Sequence, residues 1–557
     1  MSQPTFRIAI LTGQDSPATC LAVERLLAIP GVEVCGILLD TAQPGLRRKL
    51  MNLRRSVRRE GLSYLWFRAG EAVSELVEKW ADNIVPRNEV KKLIRQAFPE
   101  RPLELSDFES LRGIKLIHAG NLNSPESAQI LKDLRADLGV VIGTRILKAS
   151  TFSVPRLGSL NIHKGKVPEY RGQPAGFWEI FDGREESAVT VHFVDDGLDT
   201  GDILGDRSVP IHPKDSPATL RSKLDLAGAD LLAECVKQIA AGTAVRRPQP
   251  KSNYKPRTSP TRKQRIKVEN RLGLGKAEQR RWRRTAKTLL YLGIYRLGIY
   301  RLARAIHQRV PGGRSCILLY HRVNDQALDS LTCSAQRFAE HLVAVSRDYR
   351  VVPTTQLVNR VKHPDPERGS SVAIHFDDCY RDIFQNASRL LAQAKAPACS
   401  FISTGFIDTD RIFPHDIETC PFHLQNLTAA DIVALQRSGF EIGAHTVNHV
   451  DLGKVGLDLA HTEITESRKS LEAILGRPVN YVSFPYGKKT NIRPEVTELV
   501  RETGYEAMFS AYGGYVTRGA DLFNIQRVGV SGQYRALDLL LTIEGLTFET
   551  LKQRWKA

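Results

Sequence analysis

The chain begins with short apolar runs alternating with helix-length amphipathic stretches. RIAILTG is an apolar run closed by glycine; SPATCLAVERLLA follows with apolar residues at helical spacing, and VEVCGILLD is a second apolar run. Strand, helix and strand in that order predict a parallel sheet with right-handed crossovers. ADLGVVIG and GSLNIHKG add two strands, so the first domain is expected to be an open α/β sheet with ligands at the carboxyl ends of its strands. No GxGxxG follows the first strand, which argues against a nicotinamide cofactor. A second series starts near Ser315 with CILLYHRV, VAIHFDD, PACSFIST, FEIGAHT, YVSFPYG, EAMFSA and FNIQRVGV, separated by helix-length segments such as TEITESRKSLEAIL. Seven strands of this kind predict a (β/α) barrel or a distorted form of one.

Between the two series the composition changes. QPKSNYKPRTSPTRKQR is rich in Pro, Ser, Lys and Arg and reads as a linker. The expected division is 1–247, a basic linker with an amphipathic helix at 248–312, and 313–557. Net charge is +18, and residues 255–304 hold 16 Lys or Arg against Glu269 and Glu278, so the rest of the chain is close to neutral. A general affinity for nucleic acid is not implied. In RRWRRTAKTLLYLGIYRLGIYRLARAIHQRV, Leu289, Leu290, Ile294, Leu297, Tyr300 and Leu302 share one helical flank beside arginines. That pattern fits a helix lying on an anionic membrane surface, or an interdomain helix packed on a neighbour. RRKLMNLRRSVRREGLSYLWF, after the second strand, is a second basic piece, read as a solvated helix face or an anionic-partner patch. MSQPTFRIAILTGQ lacks the pattern of a signal peptide, and no run reaches the roughly 18 to 20 apolar residues of a membrane span. The eight cysteines form no CxxC. A cytoplasmic protein is expected, peripheral at the inner face of the membrane if the basic helix docks there.

Candidate chemistry concentrates in two places. In LNIHKGKVPEYRG, Asn161 and His163 alternate on a strand end and point to one face. His163 can act as acid or base, and Asn161 offers an amide donor to a developing oxyanion. With PEYRG and GLDTGDIL, these residues resemble the formyltransferase family that uses 10-formyltetrahydrofolate, over about residues 5 to 245. The resemblance implies a Rossmann-like fold. It makes Asn161, protonated His163 and Asp199 the catalytic trio, and puts Pro168, Tyr170, Arg171 and Gly172 at the folate. Where methionyl-tRNA enzymes read close to HPSLLPKYRG, this chain has Lys164, Gly165 and Lys166 in place of Pro, Ser and Leu, and no β-rich second domain of their kind is expected after residue 250, so an amino sugar is favoured over an initiator tRNA as acceptor.

IHFDDCYRD carries two adjacent carboxylates, Asp377 and Asp378, at a strand end; held together and partly desolvated, they call for a cation or a proton. FEIGAHTVNHVDL follows with His445 and His449 four apart, which on a helical turn stacks both imidazoles on one face. Two histidines and a carboxylate make a three-ligand zinc site with an open position. FDDCY, HTVNH and SFPYG resemble the polysaccharide deacetylase family, whose NodB homology domain hydrolyses N-acyl groups on amino sugars, over about residues 315 to 535. By that resemblance Asp378, His445 and His449 hold a divalent metal, most simply zinc. Asp377 is the base, and the backbone amide of Tyr486 meets the oxyanion. His375 and Cys379 stand where relatives carry Thr and Gly. The arginine that usually holds the base is missing at Val482 and Ser483, leaving Arg527 to replace it, and His321 replaces the usual late acid histidine.

The combined expectation is a bifunctional amino-sugar enzyme: N-formyl transfer plus metal-dependent N-acyl hydrolysis on a nucleotide sugar or lipid-linked sugar, serving cell-surface polysaccharide or lipopolysaccharide synthesis. The alternatives are a methionyl-tRNA formyltransferase-like enzyme with an appended hydrolase, and a non-catalytic sugar-binding scaffold at a membrane surface.

Overall fold

In the computed structural model the described residues are 5–550 except 44, 251, 274–276, 310–313, 327–328, 364–369, 418–419, 421, 423, 518 and 549, and the side chains of 48, 49, 277 and 278 are also left undescribed. They form two compact units, 1–71 with 100–280, and 72–99 with 281–557. This division differs from the linear one expected, because residues 72–99, which follow the second strand of the first unit, belong with the second.

The first unit is built on β1 (Phe6–Thr12), β2 (Val32–Asp40), β3 (Leu116–Ala119), β4 (Leu138–Ile142), β5 (Ser159–His163), β6 (Glu186–Phe193) and β7 (Ile203–Pro210), in the order β3-β2-β1-β4-β5-β6-β7. The first five are parallel, as the alternation predicts, and the order reverses between β1 and β4 as in Rossmann-like sheets. Alternate residues of β1 go to opposite faces: Ile8 and Ile10 to one core, Ala9 and Leu11 to the other. Both faces are therefore covered, which is why these strands read as continuous apolar runs. Ser16, Ser124 and Ser216 each cap a helix with the side-chain oxygen and are each followed by proline at the first turn. β3, β6 and β7 were not anticipated; β6 and β7 extend the sheet antiparallel beyond β5.

The second unit contains β8 (Cys316–Tyr320), the short pair β9 (Arg322–Val323) and β10 (Thr332–Cys333), then β11 (Arg350–Val351), β12 (Ser371–Phe376), β13 (Cys399–Ile402), β14 (Glu441–Ala444), β15 (Tyr481–Ser483), β16 (Ala507–Phe509) and β17 (Val528–Gly529). All seven predicted strands are present, in the order β16-β15-β14-β13-β12-β8-β17, with β11 beside β12 and every ladder parallel. The two ends approach through one isolated bridge, Phe509 to Ile525, so the sheet is a curled, incompletely closed barrel. Its strand ends carry the chemistry.

Candidate active sites

In the first unit the pleat of β5 sets Asn161 and His163, two residues apart, on one side of the sheet. Asp199 comes from the loop after β6, its φ of +55° placing a non-glycine residue in the left-handed region. Gln249 Nε2 pins that loop by donating to the carbonyl oxygens of Asp199 at 3.0 Å and Gly201 at 2.7 Å. Asn161 Nδ2 donates to Asp199 Oδ1 at 3.4 Å, His163 Nδ1 lies 3.4 Å from Asp199 Oδ2, and the Gly172 amide donates to the same oxygen at 3.3 Å. The predicted trio thus meets.

A fourth group joins it. His192 on β6 is the cross-strand partner of Asn161, with Nε2 3.1 Å from Asn161 Nδ2. The carbonyl of Phe193, 2.8 Å from His192 Nδ1, can only accept, so Nδ1 carries the proton and Nε2 faces Asn161 as an acceptor. His192 turns the Asn161 amide, and the longer bond to Asp199 is the one an oxyanion would take over. The sequence signal was the alternation in SAVTVHF, which becomes informative only once β6 is seen to pair with β5.

His163 has acceptors on both sides, the Tyr170 carbonyl oxygen 2.9 Å from Nε2 and Asp199 beside Nδ1. Only an imidazolium satisfies both, yet burial opposes the charge and lowers the pKa, with Asp199 and the Tyr170 carbonyl pulling the other way in part. Burial thus works against the imidazolium that the resemblance implies, while the two acceptors work for it. Burial pushes the Asp199 carboxyl up, but its contacts with His192 and His163 and the Gly172 amide outweigh it and leave the pKa lowered.

Pro168, Tyr170, Arg171 and Gly172 share the loop over this cluster. Tyr170 is buried, its hydroxyl donating to Asp182 Oδ2 at 3.2 Å. Gly172 has φ +95°, and a Cβ there would come 2.3 Å from the Arg257 carbonyl oxygen; at Gly165 a Cβ would come 2.9 Å from His163 Nε2. The close approach to His163 explains glycine at 165, where the resemblance leads one to expect serine. The stretch read as a linker is in fact seated on this loop. The Arg257 amide donates to the Arg171 carbonyl at 2.7 Å, its carbonyl accepts from Gln173 at 3.1 Å, and its guanidinium donates to Asp182 Oδ2 at 2.6 Å.

In the second unit Asp377 and Asp378 follow β12 and diverge. Arg527 Nη1 and Nη2 donate to Asp377 Oδ1 and Oδ2, each at 2.7 Å; Arg527 also donates to Ser483 Oγ at 2.6 Å, and Ser483 Oγ to Asp377 Oδ2 at 3.1 Å. Burial pushes the Asp377 carboxyl up, but Arg527, His445 and the Arg527 hydrogen bonds more than reverse this and hold it at about 2. Arg527 thus makes the contact to Asp377 for which positions 482 and 483 carry no arginine. Asp378, with φ +78°, turns its Oδ1 toward His449 Nε2 at 3.1 Å and His445 Nε2 at 3.6 Å.

His445 Nδ1 lies 2.8 Å from the Ser483 carbonyl oxygen, which can only accept, so its Nε2 lone pair is aimed at Asp378. Burial lowers the His445 pKa to about 4, keeping the ring neutral. The ligand atoms of Asp378, His445 and His449 lie within 4.8 Å of one another, and both Asp378 oxygens and His449 Nδ1 are buried without a hydrogen-bond partner. Buried carboxylate oxygens without a donor are costly. A divalent cation removes that cost, and one carboxylate with two neutral imidazoles suits zinc or a similar ion.

The expected helical turn carrying the two histidines is not there. Residues 445–450 form a loop with φ +63° at Thr446 and +55° at His449. Glu463 holds it, accepting at 2.8 Å from the amides of Val447 and Asn448 and from Asn448 Nδ2. The spacing of four was a correct signal of proximity with the wrong geometry behind it. Tyr486 has φ +62° and stands edge-on to His449, ring centroids 5.1 Å apart. His321, just past β8, has its pKa lowered by burial, with the charges of Asp378 and Asp377 opposing the shift. His375 packs among core rings, 5.1 Å from Phe401 and 4.9 Å from Phe509, with burial holding its pKa well down, and Cys379 is buried with its thiol pKa raised. Sequence reasoning missed His415, whose Nε2 lies 3.6 Å from Asp378 Oδ2 and 3.0 Å from the Tyr380 hydroxyl. Nothing in FPHDIE marks it.

Residues 87–236 match the formyl transferase family and residues 365–508 the polysaccharide deacetylase family. Over 116 residues the chain is 41% identical to a methionyl-tRNA formyltransferase of Thermosynechococcus vestitus, covering 21% of this chain and 35% of that protein. The chain spans less than half the length of the curated relatives it matches. Among solved structures it is similar to the Streptococcus pyogenes deacetylase PplD in complex with acetate, at 19% identity over 42% of this chain and 99% of that one, TM-score 0.37. It is also similar to a sugar N-formyltransferase from a Shewanella species, at 14% identity over 48% and 88%, TM-score 0.29. On the two family matches, one chain joins a formyl transferase segment to a polysaccharide deacetylase segment.

Proposed function

We propose that the chain is a bifunctional enzyme of amino sugars. The first unit would move a formyl group from 10-formyltetrahydrofolate to a sugar amine. The second would hydrolyse an N-acetyl or N-formyl group with a divalent metal, zinc by its donor set, in building a cell-surface polysaccharide or lipopolysaccharide. The observation that carries this reading is the presence on one chain of the Asn161–His163–Asp199 cluster and the Asp377–Asp378–His445–His449 cluster: one chemistry exposes an amine and the other acylates one.

In the first reaction the amine attacks the formyl carbon, and Asn161 Nδ2 exchanges its long bond to Asp199 for one to the oxyanion. The buried, neutral His163 and the ionised Asp199 take up the amine proton, and the departing folate nitrogen receives one. In the second, Asp378, His445 and His449 would hold the metal, whose chemistry when bound would be to polarise the acyl oxygen and acidify a water. Asp377, ionised and fixed by Arg527 and Ser483, accepts the water proton. His321 donates to the leaving amine, and the Tyr486 amide meets the acyl oxygen. The sugar would be carried on a nucleotide or a lipid. The setting would be cytoplasmic.

Mass spectrometry of N-acetylated and free-amine nucleotide sugars, incubated with the protein with and without 10-formyltetrahydrofolate, tests the reading. His163→Ala should abolish only the gain of formyl, and Asp378→Asn only the loss of acyl; no product in any combination refutes it. The curated relatives are named for methionyl-tRNA, so a tRNA acceptor is the second reading. Formylation of charged tRNA by the purified chain, with no product from any sugar amine, would favour it.

A further inference from the structure

Within the second unit, the basic stretch that the chemistry leaves unused is a pair of helices with two apolar flanks. The single long helix expected there is broken at Gly298, φ +82°, into Ala277–Arg296 and Ile299–Arg309. One flank is fastened to the unit. Thr285 Oγ1 donates to Ser74 Oγ at 3.0 Å, Arg535 Nη2 donates to Thr288 Oγ1 at 2.7 Å, and the Phe548 amide donates to the Tyr291 hydroxyl at 3.1 Å. In the second helix the Tyr300 hydroxyl donates to Asp348 Oδ2 at 2.9 Å, and His307 contacts Glu544.

The opposite flank is apolar and bare. Trp282, Leu289, Leu290 and Leu297 recur at helical spacing on one side, and Ile299, Leu302 and Ile306 continue it after the break. Leu297 is 80% exposed, Leu302 62% and Ile306 53%, values no buried-core role explains. The tertiary anchors fix which flank faces out, so these side chains cannot turn inward. Tyr300, which the sequence pattern groups with the apolar flank, is on the fastened side. Charge selects the occupant. Residues 281–309 contain eight Lys or Arg and no Asp or Glu. Aliphatic side chains with a tryptophan, interleaved with arginine, match a surface that offers phosphate at the level of acyl chains. A nucleic acid supplies the phosphates but nothing for the leucines. Among the described residues no helix is long and apolar enough to cross a membrane, so contact would be confined to one leaflet.

We infer that the outward flank of residues 282–309 is a docking surface for an anionic lipid bilayer, holding the hydrolase unit at a membrane face where lipid-linked substrates reside. Co-sedimentation of the full chain with vesicles tests this without reference to either activity. The protein should pellet with phosphatidylglycerol–phosphatidylcholine vesicles, pellet poorly with phosphatidylcholine alone, and be released by high salt. Leu297→Glu/Leu302→Glu/Ile306→Glu should weaken binding by roughly tenfold or more while leaving the thermal midpoint unchanged. Arg296→Gln/Arg301→Gln, which spares the apolar side chains, should reduce binding to anionic vesicles specifically, and decides the matter if the triple variant fails to fold. Equal pelleting with neutral and anionic vesicles overturns the inference, as does binding untouched by the arginine pair. A wild-type oligomer that the triple variant dissociates, with no vesicle binding, would instead make this flank a contact between copies.

Discussion

Arg527→Met is the sharpest probe of the hydrolase unit. It removes both 2.7 Å bonds to Asp377 and the bond to Ser483, and leaves a carboxylate among buried groups with the Ser483 hydroxyl still beside it. The wild-type carboxyl is held at about 2 against an ordinary 3.8, although burial alone would raise it. At roughly 1.4 kcal/mol per pH unit, that net depression is on the order of 2 to 3 kcal/mol. Removing the cation forfeits more, because burial then acts unopposed; deleting one partner of a buried pair typically costs about 3–5 kcal/mol. Amide hydrogen exchange read by mass spectrometry on peptides covering β12, β15 and β17 measures this locally, which suits a chain of two units better than one global unfolding curve. A cost of about 3 kcal/mol lowers protection in those strands by roughly two orders of magnitude. The variant Arg527→Met/Asp377→Asn, lacking both charges, should recover part of the loss, a coupling of at least about 1 kcal/mol. The pH dependence has a definite sign. In the wild type the Asp377 contribution is present above about 4 and lost as pH falls toward about 2. In Arg527→Met the carboxyl is raised, so its destabilisation is present at neutral pH and relieved by acid. Protection unchanged by the single substitution, or strict additivity in the double, would refute the reasoning.

Asn161→Ala and His163→Gln should each lower formyl transfer by about two orders of magnitude or more and leave hydrolysis intact, measured on separate substrates; a parallel loss of both activities would contradict the assignment. Glu463→Gln should loosen the His445–His449 loop and weaken metal binding by about 10- to 100-fold in chelator competition, an effect absent if the loop holds its own shape. Burial holds the His341 imidazole down to about 3. Between that value and about 6.5 the unfolded chain binds a proton that the folded chain refuses, so stability falls as pH falls through this window, by up to roughly 1.4 kcal/mol per unit. His341→Gln should flatten that slope in a pH series of thermal midpoints, and an unchanged slope would rule the group out.

The sequence by itself marked β1, β2, β4 and β5 of the first sheet, the main strands of the second, and the residues that the two candidate sites bring together. Buried parallel strands must be apolar on both faces, so LGVVI and SVAIHF announce themselves as short runs between amphipathic stretches. Asn161 with His163, and Asp377 with Asp378, were legible because a strand end fixes where neighbouring side chains point. What lay beyond one element was not legible. His192 reaches Asn161 only through antiparallel pairing of β5 with β6, and His415 reaches Asp378 from a short helix with no pattern of its own. Arg527 is 150 residues from the carboxylate it clamps, so its role was a guess until β17 closed toward β8. HTVNH shows the limit most plainly: its spacing fits a helix, yet Glu463 captures the backbone amides a helical turn would have used, and the histidines meet through a strained loop. Local spacing sets which residues can be neighbours in chain; hydrogen bonds donated from distant elements decide which of those neighbourhoods is built.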